Sequence, residues 1–180
     1  LDWGTWKKKG RAFVKFTDWA INRGLVRMRG CSVHDTPKSI KAIIDTGEFS
    51  AMLMSYNWMN PRLRDTIAYA ADKGVGVTVM NPVGGGSLAT PTKEIMRLLP
   101  GAKTPAEIAM RYVLATPGVT AALSGMNTFE QISENAAIAS RRTPMTPAQE
   151  KRMLSRLADI HTEASKFCTQ CGYCMPCKHG

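Results

Sequence analysis

The stretch GVGVTVMNPVGGG, residues 74–86, predicts a buried strand that runs directly into a glycine-rich loop. Val75 to Met80 carries no charge and is rich in β-branched residues, which is typical of a strand in a parallel sheet. Helical patterns precede and follow it, and a strand between helices is the repeating element of βαβ units. The sequence around residues 74–86 therefore predicts an α/β fold.

Three further stretches of strand length accompany this one. They are Val26–Cys31, Ala51–Tyr56 and Val119–Leu123. Helical patterns alternate with them, and three helix starts carry a Thr followed three residues later by Glu or Gln, which is the pattern of a capping box. The boxes begin at Thr104, Thr128 and Thr146. We predict four parallel strands alternating with helices, and the pattern leaves open whether they form a doubly wound sheet or half of an eight-stranded barrel.

The composition is that of a globular protein. Of the 180 residues 44% are hydrophobic, and 24 Lys and Arg against 14 Asp and Glu give a net charge of +10. The basic residues are dispersed apart from Lys7–Lys9, and no nucleic-acid motif accompanies them, so we expect a solvated basic surface and no nucleic-acid partner. No apolar run approaches the ~20 residues of a membrane helix, and no secretory signal opens the sequence. We therefore expect a cytoplasmic protein without a membrane partner.

Four cysteines crowd into the end of the sequence. Cys168, Cys171, Cys174 and Cys177 recur every three residues. A ferredoxin motif differs from this spacing by one residue in the last gap, whereas zinc sites usually separate two C-x₂-C pairs by a long loop. The spacing favours a [4Fe-4S] cluster, with a zinc site and free or redox-active thiols as alternatives. Cys31 stands alone on a predicted strand, where we expect a small buried apolar residue.

Four stretches occur in an order that resembles one family. They are VRMRGCSVHD (26–35), MSYN (54–57), GVGVTVMNP with Gly84 and Gly85 (74–85), and SGMNTFEQISEN (124–135). With the cysteine segment behind them, they resemble the second half of the aldo-keto reductases, in particular the iron–sulfur branch. The resemblance implies the C-terminal half of a TIM (β/α)₈ barrel over residues 1–145, a C-terminal helix over 146–167 and an iron–sulfur segment over 168–180. It also implies an oxidoreductase that transfers hydride between NAD(P) and a small carbonyl or alcohol substrate.

The same resemblance implies a set of cofactor-binding residues. Ser32 matches the family's contact to the nicotinamide amide, Gly84 and Gly85 match the loop around the pyrophosphate, and Asn135 matches the contact to adenine. In such a loop, glycines let backbone N–H groups approach phosphate oxygens. The full set is Ser32, Pro82, Gly84, Gly85, Ser124, Gly125, Met126, Gln131, Glu134 and Asn135.

Several positions depart from the family pattern. Leu53 stands where a Gln contacts the nicotinamide, and Met80 stands where an aromatic residue stacks under the ring. The Lys and Arg that contact a 2′-phosphate are Gly125 and Gln131 here, so we expect NAD to be somewhat favoured over NADP. His34 either lines the nicotinamide pocket or bonds to a nearby loop, and the sequence leaves both open.

The family's catalytic Tyr, Lys, Asp and His have no motif match in this chain, so its catalytic residues are unknown. We expect a piece of a longer protein, and the alternative is a non-enzymatic electron-transfer or iron–sulfur module. If the chain functions alone, its open sheet edges should pair with those of a second copy. Lys166 and Lys178, beside the cysteines, should attract an acidic electron carrier.

Overall fold

The computed structural model describes residues 1–141 and 145–164, with side chains as far as Leu157 in the last helix. The strands in this part of the chain are β1 (Gly30–Val33), β2 (Ala51–Ser55), β3 (Gly76–Met80) and β4 (Val119–Leu123). The helices are α1 (Trp3–Asn22), α2 (Pro37–Ile44), α3 (Arg64–Asp72), α4 (Lys93–Leu98), α5 (Pro105–Ala115), α6 (Phe129–Ser140) and α7 (Pro147–Ala164), with 3₁₀ helices at Pro61–Leu63 and Gly84–Ala89. None of these helices combines the length and the apolar character that crossing a membrane requires.

The strands lie in one sheet in the order β1-β2-β3-β4, and the pairs β1–β2 and β2–β3 are parallel. Strands that are neighbours in the chain are therefore neighbours in the sheet, each reached through a helical crossover. This arrangement confirms the predicted alternation of parallel strands and helices.

Only one face of the sheet is well buried. Its inward residues are at most 1% exposed; they are Val33, Met52, Met54, Val77 and Val79. Ser32, Leu53 and Thr78 alternate with them and are exposed or half-buried. A doubly wound sheet carries helices on both faces, whereas a barrel sheet carries them only outside. The burial pattern therefore favours part of a barrel over the doubly wound alternative.

The described chain divides into two compact units. The first comprises Leu1–Tyr56, Arg62–Met80 and Thr116–Ala121, and the second comprises Asn57–Pro61, Asn81–Ala115 and the described residues from Ala122 onward. In the first unit, Ile40 of α2 and Ile67 of α3 are fully buried. In the second, the fully buried residues include Ile108 of α5 and Met153 of α7.

Three elements differ from the sequence prediction. β1 begins at Gly30 and not at Val26, because only residues from Gly30 onward pair with β2; Val26 itself is 42% exposed. The helical spacing of Ala12, Phe13, Phe16 and Ala20 predicts a helix over residues 11–23. α1 begins earlier, at Trp3, because the Asp2 side chain accepts the Thr5 N–H at 2.8 Å and caps the helix. α4 was not predicted, although Thr92 caps it by accepting a hydrogen bond from the Ile95 N–H at 3.1 Å.

The three capping boxes are confirmed. The Thr104, Thr128 and Thr146 hydroxyls accept the backbone N–H three residues later, at 3.1, 3.3 and 3.2 Å. Gln149 completes its box by accepting the Thr146 N–H at 2.9 Å. In the other two boxes, Glu107 and Gln131 accept the N–H of the residue before the Thr. Local side-chain chemistry thus sets the starts of α5, α6 and α7.

Candidate functional site

The half-buried face of the sheet carries the residues that the resemblance assigns to the nicotinamide. Ser32 of β1 lies in register with Leu53 of β2, and Leu53 lies in register with Thr78 of β3. Residues paired in this way point to the same side of the sheet. Met80 pairs with Ser55 one step further along the strands, on the same face. The structure thus brings Ser32 beside Leu53, and none of the five side chains named here carries a carboxylate or an amide.

The loop that follows β3 is tightly wound in left-handed conformations. Asn81 has φ +63°, and Gly84, Gly85 and Gly86 have φ +60°, +64° and +96°. A Cβ on Gly84 would lie 2.8 Å from both Leu88 Cγ and Ser87 Oγ, so Gly84 is required by space as well as by φ.

The turn itself uses two of the loop's N–H groups. Gly84 N–H donates to the Asn81 carbonyl at 3.1 Å, and Gly86 N–H donates to the Val83 carbonyl at 3.0 Å. The contact of Gly84 with a phosphate stays a prediction, and in this structure the Gly84 N–H bonds within the turn. Gly85 and Gly86 are exposed, whereas Gly84 is buried.

Asn57 supports this loop and was not predicted as a functional residue. It is 1% exposed, and its Nδ2 donates to the Asn81 carbonyl at 3.0 Å. Its Oδ1 accepts the N–H groups of Met59 and Asn60 at 3.0 and 2.9 Å. A buried amide group that loses its hydrogen-bond partner is unfavourable. The bond from Asn57 to the Asn81 carbonyl therefore fixes the position of that carbonyl. The sequence signal was an Asn directly after a strand, in the quoted stretch MSYN.

The predicted adenosine-side residues cluster after β4 and on α6. Asn135 Nδ2 donates to Ser124 Oγ at 3.2 Å, which joins two of them directly. Glu134 accepts a short hydrogen bond from the Thr104 hydroxyl, and Gln131 Oε1 accepts the Asn127 N–H at 2.8 Å. The side chain of Gln131 is thus hydrogen-bonded at the start of α6, and that of Glu134 is hydrogen-bonded at the start of α5.

The surroundings of Gly125 are open. A Cβ built on Gly125 meets no atom within 4 Å, and Met126 is 42% exposed. The only charged residues within α6 are Glu130 and Glu134. A hydrogen bond from its own backbone N–H and one from the Thr128 side chain lower the pKa of Glu130, so this carboxylate is ionised at neutral pH. Within α6, the described residues therefore offer no cation to a 2′-phosphate.

Tyr56 and Tyr69 do not form a proton-donor site. Tyr56 is fully buried and its hydroxyl lies 3.1 Å from Thr116 Oγ1. Tyr69 donates to Asp45 at 2.5 Å, and this hydrogen bond raises the pKa of the phenol, which opposes proton donation. The sequence alone therefore shows that this chain has no motif match to the family's catalytic Tyr, Lys, Asp and His.

Cys168, Cys171, Cys174 and Cys177 lie outside the described residues, as do Lys166 and Lys178. Within residues 1–141 and 145–164, no group of three His, Cys, Asp or Glu side chains could hold a metal ion.

Cys31 is half-buried and not buried as predicted, because β1 is an edge strand. Desolvation raises the pKa of its thiol to about 11, so Cys31 is a protonated thiol at neutral pH. Burial also lowers the pKa of His34, which follows β1 directly.

The fold is that of part of an aldo-keto reductase barrel. Aldo-keto reductase AKR11C1 from Bacillus halodurans in its holo form matches with a TM-score of 0.68 and 22% identity, over 79% of this chain and 54% of that one. Its apo form matches with the same TM-score and identity over 55% of that chain. The thermostable aldo-keto reductase Tm1743, in complex with the inhibitor epalrestat, matches with a TM-score of 0.61 and 20% identity, over 79% of this chain and 53% of that one.

No protein-family model and no curated protein sequence matches the chain. The chain spans about half the length of the solved aldo-keto reductases that it resembles. At this level of identity the likeness describes the fold of the chain.

Proposed function

We propose that this chain is the dinucleotide-binding part of an aldo-keto-reductase-like oxidoreductase that interconverts small carbonyl compounds and alcohols. The observation that carries the proposal is the loop after β3, where three successive glycines adopt left-handed conformations at the carboxyl end of a parallel strand. Barrels of this class bind phosphate groups at the loops after their last strands. The relative solved in a holo form shares the fold.

In this proposal the chain's own residues hold and orient the dinucleotide, and bound NAD(P)H supplies the hydride. The loop that contains Gly84 and Gly85 holds the pyrophosphate, and Asn135, oriented by Ser124, faces the adenine. Ser32 faces the nicotinamide amide. NAD is favoured over NADP because Gly125 and Gln131 stand where the resembling family carries the Lys and Arg that contact a 2′-phosphate, and the charged residues within α6 are both acidic.

The full chain should bind NADH in isothermal titration calorimetry, and Gly84→Ala should weaken that binding at least ~10-fold. The new Cβ must displace Leu88 or Ser87, and left-handed strain of about 1–3 kcal/mol falls on the loop that faces the pyrophosphate. Gly47→Ala is the control, since Gly47 has φ +71° with no atom within 4 Å of its Cβ and lies outside the loop. Absence of heat with both NADH and NADPH would refute the proposal.

The second part of the proposal places a [4Fe-4S] cluster on Cys168, Cys171, Cys174 and Cys177. Its support is the donor set: four thiolates at intervals of three residues in a continuous segment. Such a cluster would carry one electron at a time. A non-enzymatic electron-transfer module is the second candidate function, and it is favoured by the lack of a catalytic motif match in the sequence.

An acidic electron carrier is the proposed protein partner, because the chain carries +10 and Lys166 and Lys178 flank the cysteines. The carrier would be oxidised by one electron as the cluster is reduced by one. With a reduced acidic ferredoxin as the probe, the rate of cluster reduction should fall as salt screens the attraction. A rate that does not change between low and high salt would contradict this partner, but it would not bear on the assignment of the cluster.

A further inference from the structure

One flank of α1 presents a row of cations. Lys7, Arg11 and Lys15 follow one another at intervals of four residues, and all three are exposed. Residues spaced in this way lie on the same side of a helix, one turn apart. The basic residues of α1 outnumber its single acidic residue, Asp18, by five to one. The helix therefore gathers into one row cations that are spread out along the sequence.

A cavity of about 560 Å³ lies along this flank, and the row of cations forms part of its lining. Trp3, Trp6 and Val14 line it as well, and all three are half-buried. Gly10 is buried, and a Cβ built on it would lie 2.8 Å from the Trp6 ring. The lack of a side chain at Gly10 therefore lets Trp6 lie against the helix. We call this cavity, with its row of cations, the basic groove.

The cations of the basic groove are not neutralised by neighbouring acids. No described residue forms an ion pair with Lys7, Arg11 or Lys15. From Lys7 to Lys15 the helix rises about 12 Å, at ~1.5 Å per residue. A single carboxylate or phosphate group cannot contact cations spread over that length. A ligand that engages all three is therefore extended and carries several negative charges.

The opposite end of the groove is acidic. Asp18 and Glu48 line this end, and both form ion pairs with Arg29, at 2.6 and 2.9 Å. Two carboxylates against one guanidinium leave an excess of negative charge there. A polymer that is anionic along its whole length, such as a nucleic acid, would be repelled at this end. The groove is therefore complementary to a segment that carries several acidic residues and ends in a basic one.

The aromatic rings of the groove also favour a peptide over a nucleic acid. Trp6 packs against Phe49, with ring centroids 5.0 Å apart, and against the edge of Phe13 at 6.4 Å. The Lys7 Nζ lies over the Trp3 ring, 5.8 Å from its centroid. Stacking of bases requires open ring faces, whereas apolar side chains can pack against the ring edges. Both Trp rings are already engaged within the chain.

We propose that the basic groove is the docking site of an acidic helical segment of a partner protein. Carboxylates one turn apart on that helix pair with the three cations, because both rows then have the same repeat. Its apolar side chains contact Trp3 and Val14, and a basic residue at its end pairs with Asp18. The inference rests on α1 and its surroundings, and not on nucleotide binding or on the cluster.

A fluorescein-labelled helical peptide with three Glu at one-turn intervals, and an Arg one turn further, is the probe. It should bind the full chain in fluorescence anisotropy, and Lys7→Glu combined with Arg11→Glu should weaken binding at least ~10-fold. Lys8→Glu combined with Lys9→Glu is the matched control, since it makes the same change of charge on the same helix outside the groove lining. The control should keep the affinity within about threefold, because surface charges outside the contact act weakly. Circular dichroism checks that both variants are folded.

The order of charges in the groove provides the second measurement. Replacing the peptide's Arg by Glu should weaken binding, because the new carboxylate faces Asp18 and Glu48. A general attraction to a chain of net charge +10 would instead strengthen it. Stronger binding of the all-acidic peptide, equal weakening by both pairs of substitutions, or no binding of the probe would overturn the proposal.

Three other occupants are tested with the same variants. The proposal is overturned if Lys7→Glu with Arg11→Glu abolishes binding of a single-stranded oligonucleotide or of phosphatidylserine vesicles while the peptide does not bind. It is also overturned if these substitutions convert a dimer of the chain to a monomer in sedimentation, which would assign the groove to a second copy. Titration with NADH and the iron content are separate readouts, so failure here leaves the proposed function standing.

Discussion

Cys171→Ser should remove most of the iron from the anaerobically purified chain. The wild-type chain should be brown and contain about four irons, because four thiolates at these intervals suit a four-iron cluster. Replacing one thiolate by a hydroxyl removes a soft ligand and leaves the other three unable to complete the cluster. Iron and acid-labile sulfide per chain, measured with the absorption spectrum, test this prediction.

Cys31→Ser is the matched control for the cluster. Cys31 is half-buried on β1, its thiol is protonated because burial raises its pKa to about 11, and no metal-binding group of described residues includes it. This variant should keep the full iron content. Colourless protein with one zinc per chain would refute the iron–sulfur assignment in favour of the zinc alternative.

Gly125→Lys should raise the affinity for NADPH by about 10–100-fold, since a charge-assisted hydrogen bond to the 2′-phosphate contributes about 1.5–3 kcal/mol. Gly125 tolerates a side chain, because its Cβ meets no atom within 4 Å and its φ is not left-handed. Gln131→Arg is less suitable, since Gln131 Oε1 holds the Asn127 N–H at the start of α6. Titrations of NADH and NADPH into each variant measure the effect.

Gly125→Gln is the control for Gly125→Lys, because Gln adds a long polar side chain without a positive charge. It should leave the affinity for NADPH nearly unchanged, and both variants should bind NADH as the wild type does. An equal gain with Gln and Lys, or no gain with Lys, would remove Gly125 from the proposed 2′-phosphate position and with it the argument for NAD preference.

Local chemistry made several elements predictable from the sequence. The three Thr capping boxes start α5, α6 and α7, because a hydroxyl three residues before an N–H satisfies a helix terminus without help from the rest of the fold. The β-branched run from Val75 predicted β3, and the glycines after it predicted a loop that needs left-handed residues.

Other features depend on contacts between distant parts of the chain. The start of β1 at Gly30 is set by pairing with Ala51, which the local sequence of Val26 and Met28 does not encode. The role of Asn57 depends on the position of Asn81, 24 residues away, whose carbonyl it binds.

The sequence by itself determined the alternation of strands and helices, because apolar periodicity and capping act over a few residues. Only the tertiary structure decided that helices cover one face of the sheet and that Ser32 lies beside Leu53 on the other. It also revealed Leu1 bonded at the β1 edge. The register in which two strands pair decides which face of the sheet each side chain lies on. That register depends on the packing of residues that lie far apart in the chain.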